Sequence, residues 1–427
     1  MKLLGALLLI ASPLLAQDLT AIKAGRLIDT DKGQVLSNQT IIIRGEKIEA
    51  IQPSTAAIPR GAMVFDLSGY TVSPGLIDAH SHLADYEQEA SVADPLTHSA
   101  ADYAFQGVKH ARQTLHAGFT TVRDVGTYRA FTDVALRNAI NEGIVEGPRM
   151  MVAGAYVTVS SGGGEVTGLA PDIVLPEAFR FGVANSVPEI RAKVRLLLNG
   201  GADFIKLIAT GAVLAAGTKP GTPEYTEEEI HAAVVEADNY GTFVAAHAHG
   251  AEGIKRAARA GVRSIEHGSL ADDEALQIMK DKGTWLVADI YNGDYIDSIG
   301  KRDGWSAEIL RKNMETTETQ RTAFRKAVAL GVKIAYGTDS GVYPHGLNAN
   351  QLPYMVKYGM TPMQAIQSAT IGAATMMGWN DRVGSIAVGK YADLIAVQGD
   401  ATTDVGKFRK VGFVMKGGDI IVSPKQQ

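Results

Sequence analysis

The stretch SPGLIDAHSHL, Ser73–Leu83, decides how the rest of the chain is read. Ser-Pro-Gly interrupts whatever precedes it. "LIDA" then reads as a short buried strand, and His80 and His82 follow one residue apart. Side chains two apart project to the same side of an extended chain, as two ligands of one ion must. A pair of solvated loop histidines has the same letters, so the neighbouring segments have to decide.

Downstream, short β-branched runs recur: "FTTVRDV", "RMMVAG", "DFIKLIA", "TFVAAHA", "VRSIEHG", "TWLVADI" and "VKIAYGTD". Helical patterns separate most of them, several starting at Thr or Asp and stopping at Gly. Eight β/α units in one stretch predict an α/β fold, a (β/α)8 TIM barrel over residues 73–383. A doubly wound open sheet is the structural alternative. Alternating, turn-punctuated segments flank this region at 17–72 and again at 384–427, such as "QTIIIRGEKIEAI" and "GSIAVGKYADLIAV". They predict a small β-sandwich domain built from both termini.

Residues 1–16 read as a secretory signal peptide: one Lys, an apolar run, then Leu14 and Ala16 at the −3 and −1 positions of a cleavage site. The expected location is periplasmic or secreted, without a stable membrane anchor. The run is short for a membrane span. Among 427 residues the net charge is −5, with signs interspersed and no basic stripe, which argues against a nucleic-acid partner. With no cysteine, a metal site must use His, Asp, Glu or modified Lys.

Catalytic residues of a parallel barrel sit at the C-terminal strand ends. There the sequence offers His80, His82, Lys206, His247, His267 and Asp339. Lys206, inside "DFIKLIA", either meets a carboxylate or is desolvated and takes up CO2 as a carbamate. Asp339 either caps a strand or binds a metal and moves a proton.

Together "GLIDAHSHL", the strand-four lysine, "HAHG", "IEHG", "GTDSG" and the tail "SIAVGKYADLIAV" resemble the amidohydrolase superfamily. The likeness spans nearly the whole mature chain. Within it, the chain is similar to binuclear-metal Xaa-Pro and Xaa-Arg dipeptidases, metallo-carboxypeptidases and ochratoxinase-type enzymes. The resemblance implies two divalent ions, Zn2+ the best guess. His80, His82 and Asp339 would hold the more buried one, His247 and His267 the other, and N-carboxylated Lys206 would bridge them. It further implies substrate contacts by His249, and by Tyr225, Gly164 and His345. A homo-oligomer, an octamer in relatives, is also expected. Many relatives carry a histidine where "SSGGGEVTG" has Gly164, which puts strict dipeptide specificity in doubt and leaves more room for a bulky acyl group.

The expected reaction is hydrolysis of an amide next to a free carboxylate: a small-molecule or peptide substrate, an N-acyl amino acid or C-terminal residue. Ochratoxin A, cleaved to ochratoxin alpha and phenylalanine, has that shape. Water activated between the metals attacks, and Asp339 acts as general base, then acid. The alternatives are a Xaa-Pro/Xaa-Arg dipeptidase as the native role, a lactonase or phosphotriesterase, a deaminase using His249 and Glu252, and a non-catalytic barrel kept as a binding module.

Overall fold

A computed structural model describes residues 19–87, 91 and 93–424, so the expected signal peptide lies outside the described residues. The first strands are β1 (Leu19–Asp29), β2 (Gln34–Arg44), β3 (Lys47–Pro53) and β4 (Met63–Pro74). A parallel series follows: β5 (Leu76–Ser81), β6 (Phe119–Asp124), β7 (Arg149–Val152), β8 (Tyr156–Val157), β9 (Ile205–Ile208), β10 (Val244–Gly250), β11 (Ser264–Leu270) and β12 (Trp285–Val287). β13 (Leu394–Gln398), β14 (Val411–Lys416) and β15 (Asp419–Val422) close the chain.

The terminal strands form one seven-stranded sheet, ordered β15-β14-β13-β4-β1-β2-β3. The two ends of the chain are joined in it by the pairing of β13 onto β4, Ile395 opposite Ser73. Its two faces follow strand parity. Leu394 and Ala396 join a core of the sheet's own residues, with Ile22, Ile41 and Phe413. Ile395 and Val397 pack into the main core. Between β4 and β5 stands only Gly75, where a Cβ would lie 2.0 Å from Thr120 Oγ1, so no side chain fits at this junction.

The parallel strands make two sheets, β5-β6-β7 and β12-β11-β10-β9-β8. The expected eighth strand is reduced to bridges. Residues 333–340 bond to β12 through Leu286 and to β5 through Ala79, His80 and His82. The two-residue β8 was not expected, and it pairs with β9 at Lys206. On the other side, the Asp203 N–H donates to Val152 O and the Val152 N–H to Asp203 Oδ2. Strands covered on both faces need continuous apolar runs, and every residue of β5, β6, β9 and β10 is buried.

Helices Ala100–His116, Val187–Asn199, Glu227–Asn239, Ala251–Ala260 and Asp273–Lys282 lie where the patterns place them. Ser99 with Asp102, and Thr226 with Glu229, form reciprocal capping boxes. The last long helix, Ala307–Leu330, has 24 residues and is capped by the Ser306 side chain. Ile77, Ala79, Met151, Ala245, Val287 and Ala335 pack together between the strands, and Met376 and Met377 join them. This apolar plug underlies the site. Among the described residues no helix is long and apolar enough to cross a membrane.

Candidate metal centre and cavity

The C-terminal ends of the parallel strands open into one cavity with about 1230 Å³ of empty space, its mouth included. His80, His82, Lys206, His247, His249, His267 and Asp339 all line it. Two strand ends reach it through a left-handed backbone. His267 has φ 69° and Asp339 φ 57°, conformations a non-glycine residue adopts only at a cost of about 1–3 kcal/mol. Without that turn, Glu266 and His267 would face opposite sides of β11.

One group unites His80, His82 and Asp339. Asp339 Oδ1 lies 3.3 Å from His80 Nε2 and 3.2 Å from His82 Nε2. The other ring nitrogens are already committed. His80 Nδ1–H donates to Glu266 Oε2 at 2.9 Å, and His82 Nδ1–H to Gly126 O at 2.9 Å. Neutral imidazoles so held turn both Nε2 lone pairs toward a carboxylate. Three lone pairs then converge with no proton between them, an arrangement that calls for a cation. Protonation is the substitute: burial opposes it at His82, but Asp339 overrides burial and lifts that ring to about 9. Asp339 itself, for all its burial, is held well below the carboxylate range by His80 and His82.

A second group, His247, His249 and His267, adjoins the first. The His267 ring centroid is 4.6 Å from that of His247, 4.7 Å from His249 and 4.8 Å from His80. Each trio offers donor atoms mutually within 4.8 Å, as does a third made of His267, Asp289 and Asp339. His267 Nδ1–H donates to Asp289 Oδ1 at 3.0 Å, which orients the ring. His249 Nδ1 meets Ser269 Oγ at 2.8 Å, and burial together with His267 pushes it down to about 3. His247 sits with Nε2 3.4 Å from Gly211 O, and burial and its two neighbouring rings hold it well below the usual histidine value. So His249, expected as a substrate contact, is as well placed to ligate as its neighbours.

Lys206 is 2 % exposed, and burial drops it to about 8 despite the raising effect of Glu266. As an ammonium it has no lone pair and enters neither group. Being readily deprotonated beside both is what CO2 uptake requires.

Beneath lies a polar layer that the sequence reading missed. Arg123 and Glu266 are both 0 % exposed. Arg123 donates to Glu266 Oε1 (2.7 Å), Ser264 Oγ (3.0 Å) and Ala79 O (2.6 Å). Asp289 and Asn292 were missed as well. Asn292 Nδ2 donates to Asp289 Oδ2 at 2.9 Å and to Asp339 Oδ2 at 3.0 Å. The available signal was a charge inside each apolar run, at Arg123, Glu266 and Asp289.

The other expected substrate contacts are placed less simply. Tyr225 is 1 % exposed, and its hydroxyl donates to Ala184 O at 2.7 Å. It is a core residue away from the cavity lining, because its ring packs inward ahead of helix Glu227–Asn239. His345 also stays out of the lining. It stacks on His110 at 4.3 Å and contacts Ser340 through Nδ1 at 3.2 Å. Gly164 does line the cavity. A Cβ there would fall 2.6 Å from Ile208 Cγ1, so Ile208 fills the room expected for a larger acyl group. Glu252, the deaminase candidate, turns outward to Arg256 Nε at 2.9 Å with half its side chain exposed.

Comparison with known proteins places the chain in a family. The model of the amidohydrolase family matches residues 71–421. An ochratoxinase of Aspergillus niger is 33% identical over 431 residues, covering 95% of this chain and 87% of the relative. A crystal structure of a Xaa-Pro dipeptidase with methionine bound in its active site is 40% identical, with TM-score 0.87, covering 94% of this chain and 99% of the other. A prolidase complexed with N-methylphosphonate-L-proline is 29% identical, with TM-score 0.88 over 95% of this chain and 100% of the other. Order of motifs, geometry of the strand ends and these likenesses lead to one statement: the chain belongs to the amidohydrolase family and is a hydrolase.

Proposed function

We propose that the protein is a metal-dependent amide hydrolase that releases an amino acid from the carboxyl side of a small acyl or aminoacyl amide. The observation that carries this reading is the convergence of two imidazole lone pairs on the Asp339 carboxylate. The ochratoxinase and dipeptidase relatives support the same bond class. TM-scores of 0.85–0.88 to relatives support reading the two parallel sheets and residues 333–340 as one (β/α)8 barrel. The apolar run at residues 2–16 supports export to the periplasm or exterior.

His80, His82 and Asp339 would hold one divalent ion, and His247 and His267 a second, with carboxylated Lys206 between them. Zinc suits this imidazole-and-oxygen set. When bound, the ions supply Lewis-acid polarisation of the scissile carbonyl and acidify water. The chain's own residues do the rest. Glu266 and Gly126 fix the tautomers of His80 and His82. Asn292 anchors Asp339 Oδ2, leaving Oδ1 on the cavity side. Asp339 takes the proton of the attacking water and delivers it to the departing amine. Ile208, Val213, Leu214, Ile296 and Val342 line an apolar wall that excludes water and accepts a hydrophobic side chain.

The test is metal content and hydrolysis of a panel of dipeptides, N-acyl amino acids and ochratoxin A, in wild type and Lys206→Ala. Two equivalents of metal and amide cleavage, both lost in the variant, are expected. Full activity and unchanged metal in Lys206→Ala would eliminate the bridging carbamate. Turnover of lactones or phosphotriesters alone would overturn the amidase assignment.

A further inference from the structure

The apolar wall of the cavity is tied down by a buried cation that does not itself line it. Residues 212–218 follow β9 and bring Ala212, Val213 and Leu214 to the cavity. Leu214 packs against Ile296, Trp305, Ile309 and Val342. The next three residues, Ala215, Ala216 and Gly217, carry almost no side chain with which to pack. Helix Ala307–Leu330 supplies the anchor instead. Lys312 Nζ donates to Ala215 O at 2.8 Å and pairs with Glu308 Oε1 at 2.7 Å. The same Glu308 oxygen accepts the Gly217 N–H at 3.0 Å. Among the described residues, the other hydrogen bonds of 212–218 stay inside the loop, as between Thr218 Oγ1 and Ala215 O at 3.0 Å. Lys312 is 2 % exposed. Burying an ammonium is costly unless it is paired and hydrogen-bonded. Its partners here are a loop carbonyl and the carboxylate that grips the same loop. One residue further along the helix, Asn313 lines the cavity, as do Thr316 and Thr317.

We propose that Lys312, working with Glu308, is the positioning residue for this wall: it latches residues 212–218 to the helix, fixes Val213 and Leu214 in the cavity, and so makes the enzyme prefer amides of large apolar amino acids to those of alanine. This rests on the hydrolase reading above and adds what sets the fit of the side chain. With the latch intact, the wall is formed before substrate arrives. Without it, the loop has to be ordered on binding, and that cost falls on the substrates that touch the wall. A side chain of one methyl group makes little use of the wall, so its turnover is nearly indifferent to the latch.

The experiment compares metal-replete wild type with Lys312→Met, which keeps the buried stem and removes the charge, on N-acetyl-phenylalanine and N-acetyl-alanine. KM for the phenylalanine substrate should rise about fourfold to fifteenfold, as losing one or two methylenes of apolar contact would give, with kcat within about twofold. Both constants for the alanine substrate should stay within about twofold of wild type. Glu308→Ala, at a partly exposed position, should act in the same direction by a smaller factor. Lys326→Met removes an exposed ion pair with Asp273 from the same helix and should change neither substrate. Amide hydrogen exchange should quicken at 212–218 in Lys312→Met and stay unchanged in β9. An equal loss on both substrates would reduce Lys312 to a support of the fold, and no loss on either would show that the wall stands without it; each overturns the proposal. Wild type that cleaves neither amide discards the hydrolase reading, and calorimetry then decides the latch. Phenylalanine bound more weakly by Lys312→Met, with alanine unaffected, keeps the latch, and equal binding of phenylalanine by both proteins discards it.

Discussion

Glu266→Gln tests whether the buried polar layer supports the centre. The change is isosteric and removes one charge. Glu266 accepts from Arg123 Nη2 at 2.7 Å, Ser264 Oγ at 2.6 Å and His80 Nδ1 at 2.9 Å, and none of its surface reaches solvent. Glutamine leaves the fully buried Arg123 guanidinium without its counter-charge, and its amide N–H2 opposes one of those donors. Breaking a buried pair from one side costs about 3–5 kcal/mol. With a urea slope of about 3 kcal/mol/M, the midpoint of the chelated protein should fall by roughly 1–1.7 M. Loss of the acceptor behind His80 should also weaken metal binding about 10–100-fold, read by competition with a fluorescent chelator. Combining it with Arg123→Met should recover much of the loss, since apolar replacement of a whole buried pair is often neutral. A midpoint shift below about 0.3 M in the single variant would refute this reasoning, as would a double variant less stable than either single one.

Three further outcomes are expected. Lys206 titrates near 8 in the metal-free fold and near 10.5 unfolded, so the unfolded chain alone holds its proton between these values. Lys206 should therefore add up to about 3 kcal/mol of stability in CO2-free buffer as pH rises from 8 to 10.5 and nothing below 8, on top of the opposite change that His82 makes as it loses its proton up to about 9. Lys206→Met should abolish that gain. Gly164→Ala pushes on Ile208 from 2.6 Å and should raise KM several-fold, and Ile208→Ala in the same chain should partly restore it. Full affinity in Gly164→Ala alone would show that the loop gives way freely. Tyr225→Phe should cost about 1 kcal/mol through the lost bond to Ala184 O and leave kcat/KM unchanged. A tenfold activity loss would return Tyr225 to the substrate pocket.

The candidate ligand positions other than Lys206 stood out because each is a polar residue ending a buried run, where a strand end has few other uses for it. His80 and His82 needed only strand parity. Glu266 and Asp289 were harder. Parity placed Glu266 away from the site, and it is the left-handed turn at His267 that lets adjacent residues serve the same centre. Asp289 follows a strand of three residues, Trp285–Val287, too short to mark an end. The strand order of the terminal sheet was not legible, because alternation reveals which face of a strand is buried and says nothing of its neighbour. The pairing of β13 with β4 is a long-range fact, written in no local pattern. Tyr225 and Gly164 were assigned by resemblance, and their surroundings depend on Ala184 and Ile208, which no motif contains.

That same pairing sets a condition on biosynthesis. A ribosome makes β13 more than three hundred residues after its partner β4, which emerges among the first seventy-four. Until then the nascent chain carries β4 with an open edge, a row of unpaired amides able to capture another strand. Pairing of β13 onto β4 therefore reports that translation has passed residue 398. A message truncated between codons 340 and 394 would yield a chain with every candidate ligand in place and an adhesive edge, one destined for aggregation or proteolysis rather than for service as a hydrolase.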